Sequence, residues 1–167
     1  MKSTWVAAII ASLLALFVFA LYSASLNKKS NALYVEGIQY DDAELVVNEN
    51  VVLDIAFADT RKEITRGLSQ QRIIQENQGL LFKFSTPGLH GIWMRGMYFP
   101  IDIIWLNENL VVVDVKRNAS PDSFRTVRDA EVFTPKVRAL YVLEVQAGFT
   151  DVHSIDIGDT FSIREND

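Results

Sequence analysis

The sequence predicts a mainly β domain of the α+β class. It reads as a small partly closed β-barrel or two-layer β structure with one or two short helices, preceded by one transmembrane helix. Three observations carry that expectation. Short apolar runs recur along the chain and end in Gly, Pro, Asn or Asp, the length and punctuation of strands. One segment carries a helix-start signature. Near the amino terminus lies a long run without a single charge. With 167 residues, 49% hydrophobic and 22% charged, the chain is about one domain with an appendage and is too apolar to be disordered.

The uncharged run extends from Trp5 to Leu26 between Lys2 and the pair Lys28-Lys29. As a helix it would rise about 33 Å, at about 1.5 Å per residue, enough to cross a hydrocarbon core. A secretory signal peptide is the competing reading, but its apolar part is usually shorter. Residues 1–26 are therefore expected to be a signal anchor, 27–32 a polar linker, and 33–167 the globular domain. The implied location is membrane-anchored with the domain outside the cytoplasm, in the periplasm or at the cell surface; secretion after cleavage is the alternative. The membrane, through this helix, is the one partner the sequence suggests.

Asp41-Asp42 reads as a solvated turn. In Val51–Phe57 the alternation puts Leu53, Ile55 and Phe57 on one inner face. Thr60 followed by Glu63 forms a capping box, starting a helix that places Ile64 and Leu68 on one side and ends near Gln71 or Ile74. Gly79–Phe84 is a strand, Pro87-Gly88 a turn, and Ile92-Trp93-Met94 the start of another strand. Ile101–Leu106 and Leu110–Val115 flank Asn107-Glu108-Asn109 as a hairpin. From Asn118 to Thr134 no period is visible, as in a functional lid. Ala139–Val145 is a strand, Ala147–Ile157 holds a short helix, and Gly158-Asp159 turns into a last strand at Phe161–Ile163.

Composition narrows the function. The net charge is −5, and all of the excess acid lies after residue 30, because residues 1–30 carry three lysines and no acid. An acidic body does not suit a phosphate-tracking nucleic-acid binder. There is no cysteine, hence no disulfide, thiolate metal site or cysteine nucleophile. His90 and His153 stand apart and outside any ligand-spaced motif, so they read as solvated surface histidines, and no metal or cofactor is expected. No nucleophile elbow, phosphate loop or dinucleotide fingerprint occurs.

The unusual feature is acid within apolar strands. Ile101–Leu106 is apolar on both faces apart from Asp102, and Leu140–Val145 apart from Glu144. A strand apolar on both sides is buried, and a buried carboxylate must be paired, hydrogen-bonded or protonated. Arg66, Arg95 and Arg138 are the available cations. Trp93, Met94 and Arg95 beside Gly91 and Gly96 can line a pocket or fill a core. Arg66, Trp93, Met94, Arg95, Asp102, Arg138 and Glu144 thus form the candidate ligand-binding or buried polar cluster, with no catalytic residue assigned.

Six features in chain order resemble the bacterial and archaeal family known as domain of unknown function 192 (DUF192). They are Arg66-Gly67-Leu68; Gly79, Leu81, Phe82 and Phe84; Trp93-Met94 followed by a base; Pro100-Ile101-Asp102-Ile103; Tyr141-Val142-Leu143-Glu144; and Gly158-Asp159. Where the family usually has Lys-Asn-Thr after Trp-Met, this chain has Arg95-Gly96-Met97. The resemblance implies a small, mainly β domain, often exported, and no established activity. The reading that follows is an extracytoplasmic, membrane-anchored ligand-binding or protein-interaction module. An envelope hydrolase using Asp102 or Glu144 as acid–base is the alternative, and a structural accessory of a membrane complex a further one.

Overall fold

The computed structural model describes residues 14–19, 41–48 and 50–164. The chain divides into two units, Met1–Ala32 and Leu33–Asp167. In the first, residues 14–19 are helical. Among the described residues no helix is long and apolar enough to cross a membrane, which corrects the expected transmembrane helix. The remainder of that expected span, and the linker at 27–32, lie outside the described residues.

Among the described residues the second unit forms a seven-stranded sheet. In chain order its strands are β1 Asp42–Val47, β2 Val51–Ala58, β3 Gln78–Gly88, β4 Ile101–Leu106, β5 Val112–Ala119, β6 Ala139–Gln146 and β7 Phe161–Arg164. Across the sheet they run β5-β4-β6-β3-β2-β1-β7. Among the described residues only β2 and β3 pair in parallel, with Ile55 opposite Gly79 and Phe57 opposite Leu81. Parallel neighbours need a crossover, and helix α1, Arg61–Arg66, lies in it. The two outer strands meet at one end. Val111 bridges Thr160, and the Phe161 N–H donates to the Leu110 carbonyl at 2.9 Å. The sheet therefore curls into a half-barrel, which shortens its open edge.

Each face of the curled sheet buries its own apolar cluster. One holds Leu45, Leu53, Ile55, Leu81, Ile104, Leu143, Val145 and Phe161. The other holds Leu80, Phe82, Ile101, Ile103, Trp105 and Val142, and is covered by Leu68, Met94 and Phe133 from the connections. β4, between β5 and β6, is buried at every position, as an apolar pattern on both faces requires.

Local chemistry explains most boundaries. The Thr60 hydroxyl accepts from the Glu63 N–H, and the Glu63 carboxylate accepts from the Thr60 N–H at 3.0 Å, so the capping box forms. The helix is shorter than expected. It stops at Arg66 because Gly67, at φ +52°, leaves helical space, a conformation open to glycine at little cost. In the β4–β5 connection Asn107 Oδ1 accepts from the N–H groups of Asn109 and Val111, the side-chain turn that makes asparagine a loop residue.

Three further expectations are corrected. Asp42 opens β1 rather than standing in a solvated turn. Pro87-Gly88 closes β3, where the register against β6 shifts between Lys83 and Gly88. Ile92–Met94 forms no strand: Ile92 alone makes a two-way backbone bridge with Phe133. The segment after Asn118 begins within β5, passes through a 3-10 turn at Pro121–Ser123 and continues as irregular chain. Helix α2, Phe149–Val152, precedes β7.

Candidate functional site

Asp102 and Glu144 lie on neighbouring strands and face opposite ways. In the β4–β6 register Asp102 stands opposite Val145, and Ile103 stands opposite Glu144. Directly opposed residues share a face and successive residues alternate. Asp102 therefore joins the face of Ile104 and Val145, and Glu144 that of Ile103 and Leu80. Two carboxylates on opposite faces of one sheet do not act together on one substrate, so Asp102 and Glu144 form no catalytic pair.

Asp102 is 1% exposed and fully occupied. Its Oδ1 accepts from the Asn118 N–H at 2.8 Å. Its Oδ2 accepts from the Thr150 N–H at 3.0 Å, the Thr150 hydroxyl at 2.7 Å and the Gly148 N–H at 3.2 Å. No arginine takes part. The register between β4 and β5 slips from Ile101–Ala119 to Ile103–Lys116, which places a bulge opposite Asp102, and Asn118 sits there at φ +50°. On the other side Asp102 caps the start of α2, where Gly148 makes no side-chain cap of its own. It is a structural anchor tying β4, β5 and α2 together.

Glu144 is 5% exposed. The Leu68 backbone N–H donates to its carboxylate, while Oε2 is buried without a hydrogen-bond partner. Burial pushes its pKa up to about 8, against the opposing pull of the Leu68 N–H, and so favours the protonated form at neutral pH. The Nε of half-buried Arg66, at the end of α1, is likewise buried without a partner. Both residues line one cleft of about 90 Å³, together with Gly67, Leu68, Ser69, Phe82, Phe84, Ile92, Trp93 and Met97. The Arg66-Gly67-Leu68 corner forms one wall. Its shape depends on Gly67: a Cβ there would meet the Phe82 ring at 3.3 Å and Glu144 Oε2 at 3.8 Å.

Of the candidate residues, Arg66, Trp93 and Glu144 therefore come together. Trp93 is partly exposed and meets Phe124 edge-on at 5.6 Å, and the Arg95 guanidinium lies 5.8 Å from the centre of its ring. Arg95 so reaches the cleft only through Trp93. Met94 is core. Arg138 donates from Nη2 to the Pro87 carbonyl at the end of β3. His90 and His153 are half-buried rather than solvated. The first stacks on Phe84 at 3.6 Å and the second packs on Phe149.

Phe84, Ser69 and Met97 complete the cleft and escaped residue-by-residue reading. The glycine just after a capped helix was the available signal for the corner. A second, larger cleft of about 180 Å³ lies beside Gln146, Phe149 and His153, but neither of the two unpartnered buried side-chain atoms lines it. Among the described residues no three His, Cys, Asp or Glu side chains gather as a metal site.

Residues 44–163 match the model of the family described as DUF192, Uncharacterized ACR. A UPF0127 protein of Thermococcus kodakarensis is 28% identical over 108 residues, which are 65% of this chain and 63% of that protein. The chain thus spans less than two thirds of that relative's length. Two solved structures share the fold. A Sinorhizobium meliloti protein described as a candidate transcription regulator superposes with a TM-score of 0.68 at 21% identity, over 75% of this chain and 96% of that one. A Novosphingobium aromaticivorans protein of unknown function gives 0.67 at 24% identity, over 78% and 90%.

Proposed function

This chain belongs to the DUF192 family, whose description names no activity, and we propose that it is a binding domain for a small ligand, taken up in the cleft between the Arg66-Gly67-Leu68 corner and Trp93. One observation carries the reading. Glu144 is buried, has an oxygen with no protein partner, and lines an open cleft. A buried polar atom left unsatisfied costs about 1–3 kcal/mol, and native proteins keep few of them. A buried acid that lines one cleft with a cation and aromatic walls is also the composition of a recognition site. Asp102, in contrast, has no capacity left for a ligand.

The location outside the cytoplasm belongs to the same proposal and rests on the uncharged run between Lys2 and Lys28, read as an export signal. Fractionation of cells producing the full chain tests it, and recovery in the cytoplasm alone would refute it.

The binding reading is tested by a thermal-shift screen of small polar compounds on the full chain and on Trp93→Ala. A ligand at 100 times its dissociation constant adds about 2.7 kcal/mol to stability. The expected result is a compound that raises the melting temperature of the wild type and leaves Trp93→Ala unmoved. Equal shifts in both proteins would place binding elsewhere.

A further inference from the structure

We propose that the ligand of this cleft is a short-chain carboxylate, held between the Arg66 guanidinium and the Glu144 carboxyl group, with its apolar body against Trp93 and Phe84. The proposal rests on the reading of the cleft as a binding site and adds the chemical class of its ligand.

The donor count leads there. Among the described residues two buried side-chain atoms lack a partner, Arg66 Nε and Glu144 Oε2, and both belong to residues that line this cleft. The guanidinium can only donate and is always charged. On Glu144 the Leu68 N–H already occupies acceptor capacity, and the neutral acid has one O–H to give. That proton belongs on the oxygen without a donor. Both free groups therefore offer hydrogen, and one brings positive charge. A carboxylate supplies two acceptor oxygens on one carbon with the complementary charge. An ammonium group would meet Arg66 as a like charge, and a primary amide brings one acceptor oxygen and two surplus donors.

Size and walls narrow the class. At about 90 Å³ the cleft is well below the roughly 300–1,000 Å³ of pockets for drug-sized ligands. The aromatic rings of Phe82, Phe84 and Trp93 suit a few carbons attached to the charged group.

Binding is then linked to one proton. The charged groups lining the cleft are Arg66 and Glu144 themselves. β4 faces Glu144 with Ile103 and β3 faces it with Leu80. Arg95 stands over Trp93 and His90 over Phe84. An ionised Glu144 would repel a carboxylate and lose its donor, so affinity falls about tenfold per pH unit once Glu144 titrates.

The test uses the full chain with 13C-methyl methionine, because Met97 lines the cleft and a methyl signal survives high pH. Isobutyrate, isobutyramide, isobutylammonium and inorganic phosphate are titrated at pH 6 and pH 9.5. Isobutyrate is expected to move the Met97 methyl saturably at pH 6 and to bind at least about tenfold more weakly at pH 9.5. Arg66→Gln should weaken it by a similar factor. Glu144→Gln, which keeps an N–H donor, should bind without the pH dependence. The wild-type pH profile needs no variant, so a misfolded variant cannot hide the answer. Isobutyramide or isobutylammonium binding as tightly as isobutyrate, or isobutyrate binding that ignores pH, overturns the proposal. Phosphate binding in preference, with the same dependence on Arg66, replaces the carboxylate by another oxyanion and also overturns it. A probe other than isobutyrate that moves Met97, and fails to do so in Trp93→Ala, leaves the cleft standing and removes the carboxylate. If no probe moves Met97, both readings fall.

Discussion

Asp102 and Glu144 are one register position apart on adjacent strands, are both buried, and live in opposite chemical conditions. Around Asp102 three backbone N–H groups and a hydroxyl converge from a β-bulge and a helix start. Around Glu144 a single N–H is supplied and an oxygen is left bare beside a cleft. Burial alone thus says little about what a carboxylate does. The number of donors brought to it decides whether it anchors the fold as an acceptor or waits as a neutral acid. The bulge at Asn118 and the Gly148 turn belong to the first face, and the short capped helix with its Gly67 exit to the second.

The largest expected effect comes from emptying the saturated site. Asp102→Ala should remove about 3–5 kcal/mol in urea unfolding, because several buried donors lose their acceptor at once and each costs about 1–3 kcal/mol. A loss below about 1 kcal/mol would abolish the contrast between the two acids. Next is the corner over Glu144. Gly67→Ala places a methyl group against the Phe82 ring at a backbone conformation that side chains rarely adopt, and should cost about 1–3 kcal/mol. An unchanged unfolding midpoint would mean that the corner shifts freely.

A pH series sharpens the difference further. The folded-state pKa of Glu144 is raised from 4.5 to about 8. Below 4.5 the group is protonated in both states and its contribution is fully present. Between the two values the unfolded chain releases the proton and the folded chain keeps it, so stability falls as pH rises, by about 1.4 kcal/mol per unit from this group. Above pH 8 the fall from this group ends. Glu144→Gln should flatten that limb, and identical profiles for variant and wild type would show that Glu144 ionises normally. The smallest effect is expected at Thr60→Ala, about 0.5–2 kcal/mol for a lost cap, since α1 delivers the Leu68 N–H to Glu144. Unchanged stability would mean that the corner is held without the capping box.

Much of the fold was legible because it depends on near neighbours in sequence. The apolar alternation of Leu53, Ile55 and Phe57 identified β2 and one of its faces, with Phe57 half-buried, and missed that Ala56 and Ala58 are buried on the other. The capping box at Thr60 located the start of α1, and the paired apolar runs around Asn107 located β4 and β5. β1 was hidden because its burial is not a clean alternation and two aspartates open it. Trp93-Met94 looked like a strand by composition, yet the preceding Gly91 and following Gly96 hold it as a bridge and turns over the sheet.

By itself the sequence determined that Asp102 and Glu144 would be buried, since each interrupts an apolar pattern that leaves no face for water. Only the tertiary structure decided their roles. Side-chain direction along one strand follows from a period of two, but which residue of another strand stands opposite is set by register, and register here carries bulges at β4–β5 and β3–β6. The donors that satisfy Asp102 come from 16 to 48 residues away, brought together by the curl of the sheet. No local pattern encodes which of two buried acids they will reach.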